Sequence, residues 1–217
     1  MLEARKIRMT MELRSSGITD TRVLAAIERT PRELFVPATF LDQAYENVAL
    51  PIGHGQTLSQ PVVVARMTQA LEIGPRMKLL EIGTGSGYQA AILAQLCLRL
   101  YTIERQRALL AEAEKRFKEL RLRNITSNFG DGSVGWPAQA PFDGILLTAA
   151  ASEVPERLVR QLKVGGIIVL PVGSRHGEQR LLQARRLPGG IETKDMGPVR
   201  FVPLVPSPAA PERRPGG

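Results

Sequence analysis

Residues 79–87, Leu-Leu-Glu-Ile-Gly-Thr-Gly-Ser-Gly, are the stretch that decides the fold. The apolar run 79–82 predicts a buried parallel strand, and it leads directly into Gly83, Gly85 and Gly87. Residues 88–98 then carry apolar side chains at helical spacing, so the unit is a strand, a glycine-rich turn and a helix. Glycines let such a turn adopt positive φ angles, and they let backbone N–H groups approach a ligand at the positive end of the helix. The unit therefore predicts a ligand-binding turn.

The glycine spacing narrows the choice of ligand. The dinucleotide fingerprint G-x-G-x-x-G/A would place Gly or Ala where this chain has Tyr88. The observed G-x-G-x-G, with Glu81 two residues before it, resembles the S-adenosylmethionine loop of Rossmann-like methyltransferases. Glu104 ends the next apolar strand, 98–103, where a carboxylate can accept both hydrogen bonds of a ribose diol. The alternative is a tight turn that only packs a helix on a strand.

Composition limits the class of protein. The chain has 217 residues, of which 43% are hydrophobic, and this suits one α/β domain. No apolar run reaches membrane-spanning length, residues 1–12 lack a signal-type apolar segment, and the single Cys97 excludes an internal disulfide. We therefore expect a cytoplasmic protein with no membrane partner. His54 and His176 lie far apart in the sequence, so no metal site is expected.

The net charge of +8 raises the alternative of a nucleic-acid methyltransferase. The basic residues of 99–123 are interleaved with glutamates, however, and this pattern is typical of a solvated helix face. No basic stripe with interleaved aromatic residues is present. We therefore expect no nucleic-acid partner, and we expect a monomer. A third alternative is a non-catalytic protein that binds the nucleoside and uses its basic face for interactions.

The order of predicted elements indicates the fold class. Strands alternate with helices, which predicts an α/β, doubly wound, mostly parallel sheet with helices on both faces. Residues 179–186 alternate as in an antiparallel edge pair, and residues 199–205 are predicted to close the sheet. Ser152 is the predicted N-cap of a helix that runs to Leu162 and ends at Gly165-Gly166. We expect one domain, 1–205, with a helical covering part at 1–75, a core at 76–205, and a disordered tail at 206–217.

Ligands of open α/β sheets bind at the carboxyl ends of the strands. That rule adds Asp131-Gly132 and the loop after Thr148 to the candidate site. Asp131 could accept a hydrogen bond from an adenine amino group, or it could simply shape an Asp-Gly turn. The loop 148–152 is small and has no proline pair or aromatic clamp with which to extrude a base. It suits an acceptor that is already a good nucleophile, such as a carboxylate, which needs orientation and desolvation.

The segment 52–61, Ile-Gly-His-Gly-Gln-Thr-Leu-Ser-Gln-Pro, supplies further candidates. His54, Thr57 and Ser59 crowd a glycine-flexible loop just before a helix that Pro61 opens. Alternatively, Thr57 or Ser59 caps that helix, and His54 is a polar loop residue.

Five segments, 32–37, 53–61, 80–87, 130–132 and 201–204, occur together in order, and with them the chain resembles bacterial-type protein-L-isoaspartate O-methyltransferases. The resemblance covers 5–205, and the string 56–61 is its most specific part. It implies a Rossmann-like fold, S-adenosyl-L-methionine as cofactor, and methylation of the free α-carboxylate of isoaspartyl residues in damaged proteins and peptides. The ester would then close to a succinimide that partly reopens to normal aspartate.

The resemblance also implies residue roles. Ser59 is the implied catalytic residue, whose hydroxyl positions the acceptor carboxylate without forming a covalent intermediate. The implied cofactor-binding residues are Glu81, Gly83, Thr84, Gly85, Gly87, Glu104, Asp131 and Gly132. The implied substrate-binding residues are Gly53, His54, Thr57, Val202 and Leu204. Val62 departs from the aromatic residue that many relatives carry there, which bears on local packing and peptide preference.

Overall fold

The computed structural model describes residues 2–174 and 177–205. The predicted tail, 206–217, lies outside the described residues. The helices are α1 Leu2–Ser15, α2 Thr21–Arg29, α3 Pro61–Ala70, α4 Tyr88–Ala94, α5 Arg107–Glu119 and α6 Glu156–Val159. The strands are β1 Leu50–Gly53, β2 Gln56–Leu58, β3 Lys78–Ile82, β4 Arg99–Glu104, β5 Ile125–Phe129, β6 Phe142–Leu147, β7 Leu162–Gly173, β8 Gln179–Leu187 and β9 Gly190–Val199. Short 3₁₀ helices span Arg32–Phe35, Ala38–Gln43, Gly132–Val134 and Pro137–Gln139.

A seven-stranded sheet in the order β5-β4-β3-β6-β7-β8-β9 forms the centre of the fold. Strands β3 to β7 pair in parallel, whereas β8 and β9 add an antiparallel edge. This arrangement confirms the predicted doubly wound sheet. The chain builds outward from β3 to β5 and then crosses to β6 on the other side of β3. The strand order therefore reverses between β3 and β6, and this is where open α/β sheets bind ligands.

Both faces of the sheet are covered by apolar side chains. Helices α3, α4 and α5 cover one face through residues such as Met67, Leu93 and Phe117. Helix α6 covers the other face, where Leu158 joins strand residues such as Leu80. The central strands β3 and β6 are therefore buried on both sides, which explains why they appear in the sequence as short continuous apolar runs.

The segment before β3 forms a layer that packs on α4. Buried side chains of α1 and α2 join the hairpin β1-β2 and the start of α4 in one apolar cluster. Asp20 caps α2 by accepting from the backbone N–H groups of Arg22 and Val23, at 2.9 and 3.4 Å. The division into a covering part and a core stays a prediction. No helix in the described ranges is long and apolar enough to cross a membrane.

The predicted helix from Ser152 to Leu162 is wrong. Only Glu156–Val159 is helical, with Pro155 as its N-cap, and Leu162 already begins β7. Gly165 and Gly166 lie inside β7, where the register with β6 shifts between Phe142 and Gly144. Gly165 has a φ of 84°, so the glycine pair forms an irregularity in a strand instead of a helix end.

The predicted closing strand 199–205 is also wrong. The edge strand is β9, which pairs antiparallel with β8 across the short turn between Leu187 and Gly190. Of residues 201–205, only Pro203 forms an isolated bridge, with Ala150 after β6. The predicted helix 88–98 is shorter, because α4 ends at Ala94, and Cys97 is buried beyond it.

Candidate active site at the carboxyl edge of the sheet

A cleft of about 980 Å³, including its solvent-open mouth, lies where the strand order reverses. Three parts of the chain surround it, namely the turns after β3, β4 and β6, the segment 52–59, and the segment 202–205. The lining residues are Ile52, Gln56, Thr57, Leu58, Ser59, Val64, Met67, Ile82, Gly83, Thr84, Gly85, Ser86, Tyr88, Gln89, Ile103, Glu104, Arg105, Gly132, Thr148, Ala149, Val202, Pro203, Leu204 and Val205.

The glycine-rich turn is held from two sides. The backbone N–H of Gly83 donates to Ile103 O at 2.8 Å, and the Thr148 hydroxyl donates to Gly83 O at 2.6 Å. A Cβ on Gly83 would collide with that hydroxyl, so only glycine fits between β3 and the loop after β6. Gly87 has a φ of 92° at the start of α4, and it lies outside the lining. Its contribution is to the shape of the turn.

Glu104 is the acid that faces the cleft. Its carboxylate accepts from Gly85 N at 2.9 Å and from Gln106 N at 2.8 Å, and only 5% of the residue is exposed. A carboxylate offers about four acceptor positions, so two remain for a ribose diol. The backbone therefore aims Glu104 into the cleft beside the glycine-rich turn, and the donor and acceptor set fits the nucleoside part of S-adenosylmethionine.

Glu81 does not reach the cleft lining. It is fully buried in β3 and accepts from the Thr102 hydroxyl at 2.5 Å, and Thr102 in turn bonds the Thr84 hydroxyl at 2.6 Å. Burial raises the pKa of Glu81 to about 8, so the carboxyl is protonated at neutral pH. Thr84 does line the cleft. The geometry thus connects Glu81 to the glycine-rich turn through two hydroxyl groups, and its predicted contact with the cofactor stays a prediction.

The segment 52–59 is a β-hairpin instead of the flexible loop expected from its glycines. Strands β1 and β2 pair antiparallel, with the turn at residues 54 and 55. Gln60 is the N-cap of α3 and makes no side-chain capping bond, so neither Thr57 nor Ser59 caps that helix. Thr57 and Ser59 line the cleft.

Gly53 and His54 lie outside the lining, at the exposed hairpin turn, where His54 has a φ of 52°. Their predicted part in substrate binding stays a prediction.

Asp131 and Gly132 follow β5. Asp131 accepts from Ser133 N at 2.8 Å and so caps the short 3₁₀ helix Gly132–Val134. This contact agrees with the alternative that Asp131 shapes a turn, and Asp131 lies outside the cleft lining. Gly132 lines the cleft and is buried, and a Cβ there would collide with the Ile82 side chain. An adenine contact of Asp131 stays a prediction.

The segment 202–204 is fixed across the mouth of the cleft. Ala150 N donates to Val202 O at 2.8 Å, and Leu204 N donates to Ala150 O at 2.7 Å. Val202 and Leu204 line the cleft, and their predicted contact with the substrate stays a prediction.

Several lining residues escaped the sequence analysis. Arg105 and Gln89 carry polar groups there, and Gln89 donates to the Thr68 hydroxyl at 2.9 Å. Tyr88 was only part of a helical pattern, although its side chain is fully buried and lines the cleft. Arg32 lies outside the lining, but it is fully buried and donates to Ser59 O at 2.7 Å. Arg32 lies in the quoted motif 32–37, which was the available signal. Among the described residues, no cluster of three or more His, Cys, Asp or Glu could hold a metal ion.

The glycine-rich turn after β3, the acid after β4 and a cleft at the reversal of strand order define a Rossmann-like methyltransferase that uses S-adenosyl-L-methionine. The family model for protein-L-isoaspartate(D-aspartate) O-methyltransferase matches residues 4–208, and the chain belongs to this family.

Individual relatives agree with this assignment. The chain is 63% identical over 204 residues to the protein-L-isoaspartate O-methyltransferase of Paramagnetospirillum magneticum. That alignment covers 94% of this chain and 95% of the relative. A solved protein-L-isoaspartate O-methyltransferase superposes with a TM-score of 0.82 at 25% identity, covering 91% of this chain and 65% of that longer chain. A Plasmodium falciparum structure described as a β-aspartate methyltransferase, in complex with S-adenosyl-L-homocysteine, shares the fold, with a TM-score of 0.77, 23% identity and coverage of 91% and 97%.

Proposed function

We propose that this enzyme transfers the methyl group of S-adenosyl-L-methionine to the free α-carboxylate of L-isoaspartyl residues in damaged proteins and peptides, and that Ser59 positions that carboxylate. The observation that carries the proposal is the shared cleft. Ser59 and Thr57 line the same cavity as the glycine-rich turn and Glu104. Membership of the family supports the reaction, and the shared cleft supports the choice of residues.

The donor binds at the sheet edge in this proposal. Glu104 accepts from the ribose hydroxyls, while Gly83, Thr84 and Gly85 lie against the nucleoside and the amino-acid part. Gly132 allows the chain after β5 to pack closely against β3, because any larger side chain would meet Ile82. Glu81 and Gly87 act indirectly, through the hydroxyl relay to Thr84 and through the shape of the turn.

The acceptor enters from the hairpin side. The Ser59 hydroxyl donates to one carboxylate oxygen, and Val202 and Leu204 contact the peptide from the opposite wall. When bound, S-adenosylmethionine supplies a methyl group on a positively charged sulfur, which leaves as a neutral thioether. A negative acceptor and a positive donor thus become neutral products, so the apolar walls formed by Ile52, Leu58 and Met67 favour transfer by excluding water.

No general base is needed, because the carboxylate is already ionised at neutral pH. The enzyme has to orient the acceptor, and orientation alone can supply several kcal/mol of rate enhancement. The methyl ester then leaves the cleft and closes to a succinimide without further help from this chain.

The setting of the reaction is part of the proposal. We expect a cytoplasmic monomer with no nucleic-acid or membrane partner. The single cysteine supports a reducing compartment, and burial raises the pKa of its thiol to about 12, which keeps Cys97 unreactive.

The direct test offers radiolabelled S-adenosylmethionine and two synthetic peptides that differ only in an aspartyl or an isoaspartyl linkage. We expect base-labile label on the isoaspartyl peptide alone. Label on neither peptide, with S-adenosylhomocysteine binding intact, would contradict the proposed reaction, and label on RNA or DNA would favour the nucleic-acid alternative.

The role of Ser59 has its own test. Ser59→Ala should lower kcat by about 10-fold to 100-fold, because one positioning hydrogen bond is lost, with little change in S-adenosylhomocysteine affinity. Ser127→Ala is the matched control, since it removes a hydroxyl that bonds Glu114 on α5. Equal turnover of the Ser59 variant and the control would remove Ser59 from the mechanism.

A further inference from the structure

Arg32 is a fully buried cation in contact with Ser59 and Tyr88, two residues that line the cleft. It begins the 3₁₀ helix Arg32–Phe35, and its Nη2 donates to the backbone oxygen of Ser59 at 2.7 Å. Its Cζ lies 4.8 Å from the ring centroid of Tyr88, which lines the cleft. Nε and Nη1 have no hydrogen-bond partner in the described part of the chain.

Among the described residues, no carboxylate forms an ion pair with Arg32. The carboxylate next to it in the sequence, Glu33, accepts from the Tyr45 hydroxyl. Burial lowers the pKa of Arg32, but a guanidinium stays protonated in proteins. A buried charge that lacks an ionic partner costs stability, and apolar replacements of buried charges are often neutral or stabilising. Packing therefore does not explain why a cation occupies this position.

A negatively charged methyl acceptor gives a reason for a buried cation at position 32. The guanidinium bonds the main chain of Ser59, the residue that positions the acceptor in the proposed function, and it lies over the ring of Tyr88, which lines the cleft. We propose that Arg32 is a positioning residue for the methyl acceptor. It holds Ser59 in place, and its positive charge favours binding of a carboxylate at the Ser59 hydroxyl. This inference rests on the proposed function of Ser59.

The two effects predict a particular kinetic pattern. The acceptor carries its full negative charge before transfer and loses it during transfer. A nearby positive charge therefore stabilises the bound acceptor more than the transition state, so its removal raises KM more than it lowers kcat. The donor site is built by other residues, so S-adenosylhomocysteine affinity should stay unchanged.

The experiment compares Arg32→Met, Arg32→Lys and wild type with the isoaspartyl peptide. For Arg32→Met we expect the acceptor KM to rise about 10-fold or more, because a charged hydrogen-bond donor is lost. Arg32→Lys keeps the charge without the planar fork, so its KM should rise less. The Kd of S-adenosylhomocysteine should stay within about 2-fold, and the melting temperature of Arg32→Met should equal or exceed that of wild type.

Arg66→Met is the matched control. Its guanidinium donates to the backbone oxygen of Met196 and ties α3 to β9 away from Ser59. We expect an unchanged acceptor KM for this variant. An unchanged KM in Arg32→Met, or a loss of S-adenosylhomocysteine affinity equal to the rise in KM, overturns the inference. If Arg32→Met does not fold, Arg32→Lys decides, and an acceptor KM equal to wild type then overturns it.

A double variant separates this inference from the proposed function. If Arg32 acts through Ser59, its replacement should cost less in a Ser59→Ala background than in wild type. Full activity of Ser59→Ala would refute the role of Ser59. Impaired Ser59→Ala beside an unaffected Arg32→Met would refute the role of Arg32 alone.

Discussion

Replacing Glu81 by glutamine should remove the contribution that the Glu81 carboxyl makes to the pH dependence of the free energy of unfolding. Glu81 is fully buried in β3, and burial raises its pKa from the ordinary value of 4.5 to about 8. Glutamine has nearly the same shape, and its amide oxygen can still accept from the Thr102 hydroxyl. The variant therefore changes the ionisation of this position with little change in packing.

The sign follows from proton binding. Below pH 4.5 the carboxyl is protonated in both the native and the unfolded chain, so Glu81 adds no pH dependence. Between pH 4.5 and about 8 only the native state keeps the proton, so the free energy of unfolding falls as pH rises. Each pH unit is worth about 1.4 kcal/mol, so this interval corresponds to about 5 kcal/mol.

Glu81→Gln should therefore be more stable than wild type by about 4 to 5 kcal/mol near pH 8 and by less than about 1 kcal/mol near pH 5. Urea unfolding followed by circular dichroism at both pH values measures the two differences. Other groups titrate equally in both proteins, so they cancel in the stability difference between the variant and wild type. The change of that difference from pH 5 to pH 8 therefore reports on position 81. The affinity for S-adenosylhomocysteine should stay close to that of wild type, because Glu81 reaches the cleft only through Thr102 and Thr84.

The control is Glu114→Gln. Glu114 also accepts a hydroxyl hydrogen bond, from Ser127 at 2.5 Å, but it lies half-buried on α5. Its replacement should change the free energy of unfolding by no more than about 0.5 kcal/mol at either pH. The same stability difference between Glu81→Gln and wild type at both pH values would refute the conclusion that burial keeps the Glu81 carboxyl protonated in the native state.

Three further variants test the glycine-rich turn and the cap of α2. Gly87→Ala should destabilise the protein by about 1 to 3 kcal/mol, because φ is 92° and the new Cβ would lie 2.8 Å from Phe117 Cε1. Urea unfolding checks this, and an unchanged midpoint would argue against it. Asp20→Ala should cost about 1 kcal/mol through loss of the α2 cap, measured as a lower melting temperature. Thr148→Val removes the hydroxyl that donates to Gly83 O, so calorimetry should show S-adenosylhomocysteine binding weakened by about 3-fold to 10-fold. Undiminished affinity would show that the turn keeps its shape without that bond.

Local signals in the sequence predicted the centre of the fold. The strand, turn and helix from Lys78 to Ala94 could be predicted because an apolar run, three glycines and a helical pattern follow one another within one segment. The edge strand Gly190–Val199 could not. Its side chains are mostly exposed on both faces, so no apolar alternation marks it, and backbone pairing with β8 holds it in place. The glycine pair at 165–166 predicted a helix end, and pairing with β6 made it part of a strand.

The sequence by itself indicated which chemical groups would meet at the site. The glycines and Glu104 each follow a recognisable local element, and Ser59 and the segment 202–204 follow from the resemblance to the family. Only the tertiary structure decided how those groups are held. Arg32 bonds Ser59 O from 27 residues away, Glu81 is removed from solvent beneath the turn, and Ala150 fixes the segment 202–204. Desolvation and long-range hydrogen bonds depend on what packs across the sheet, and residue spacing along the chain carries no record of that packing.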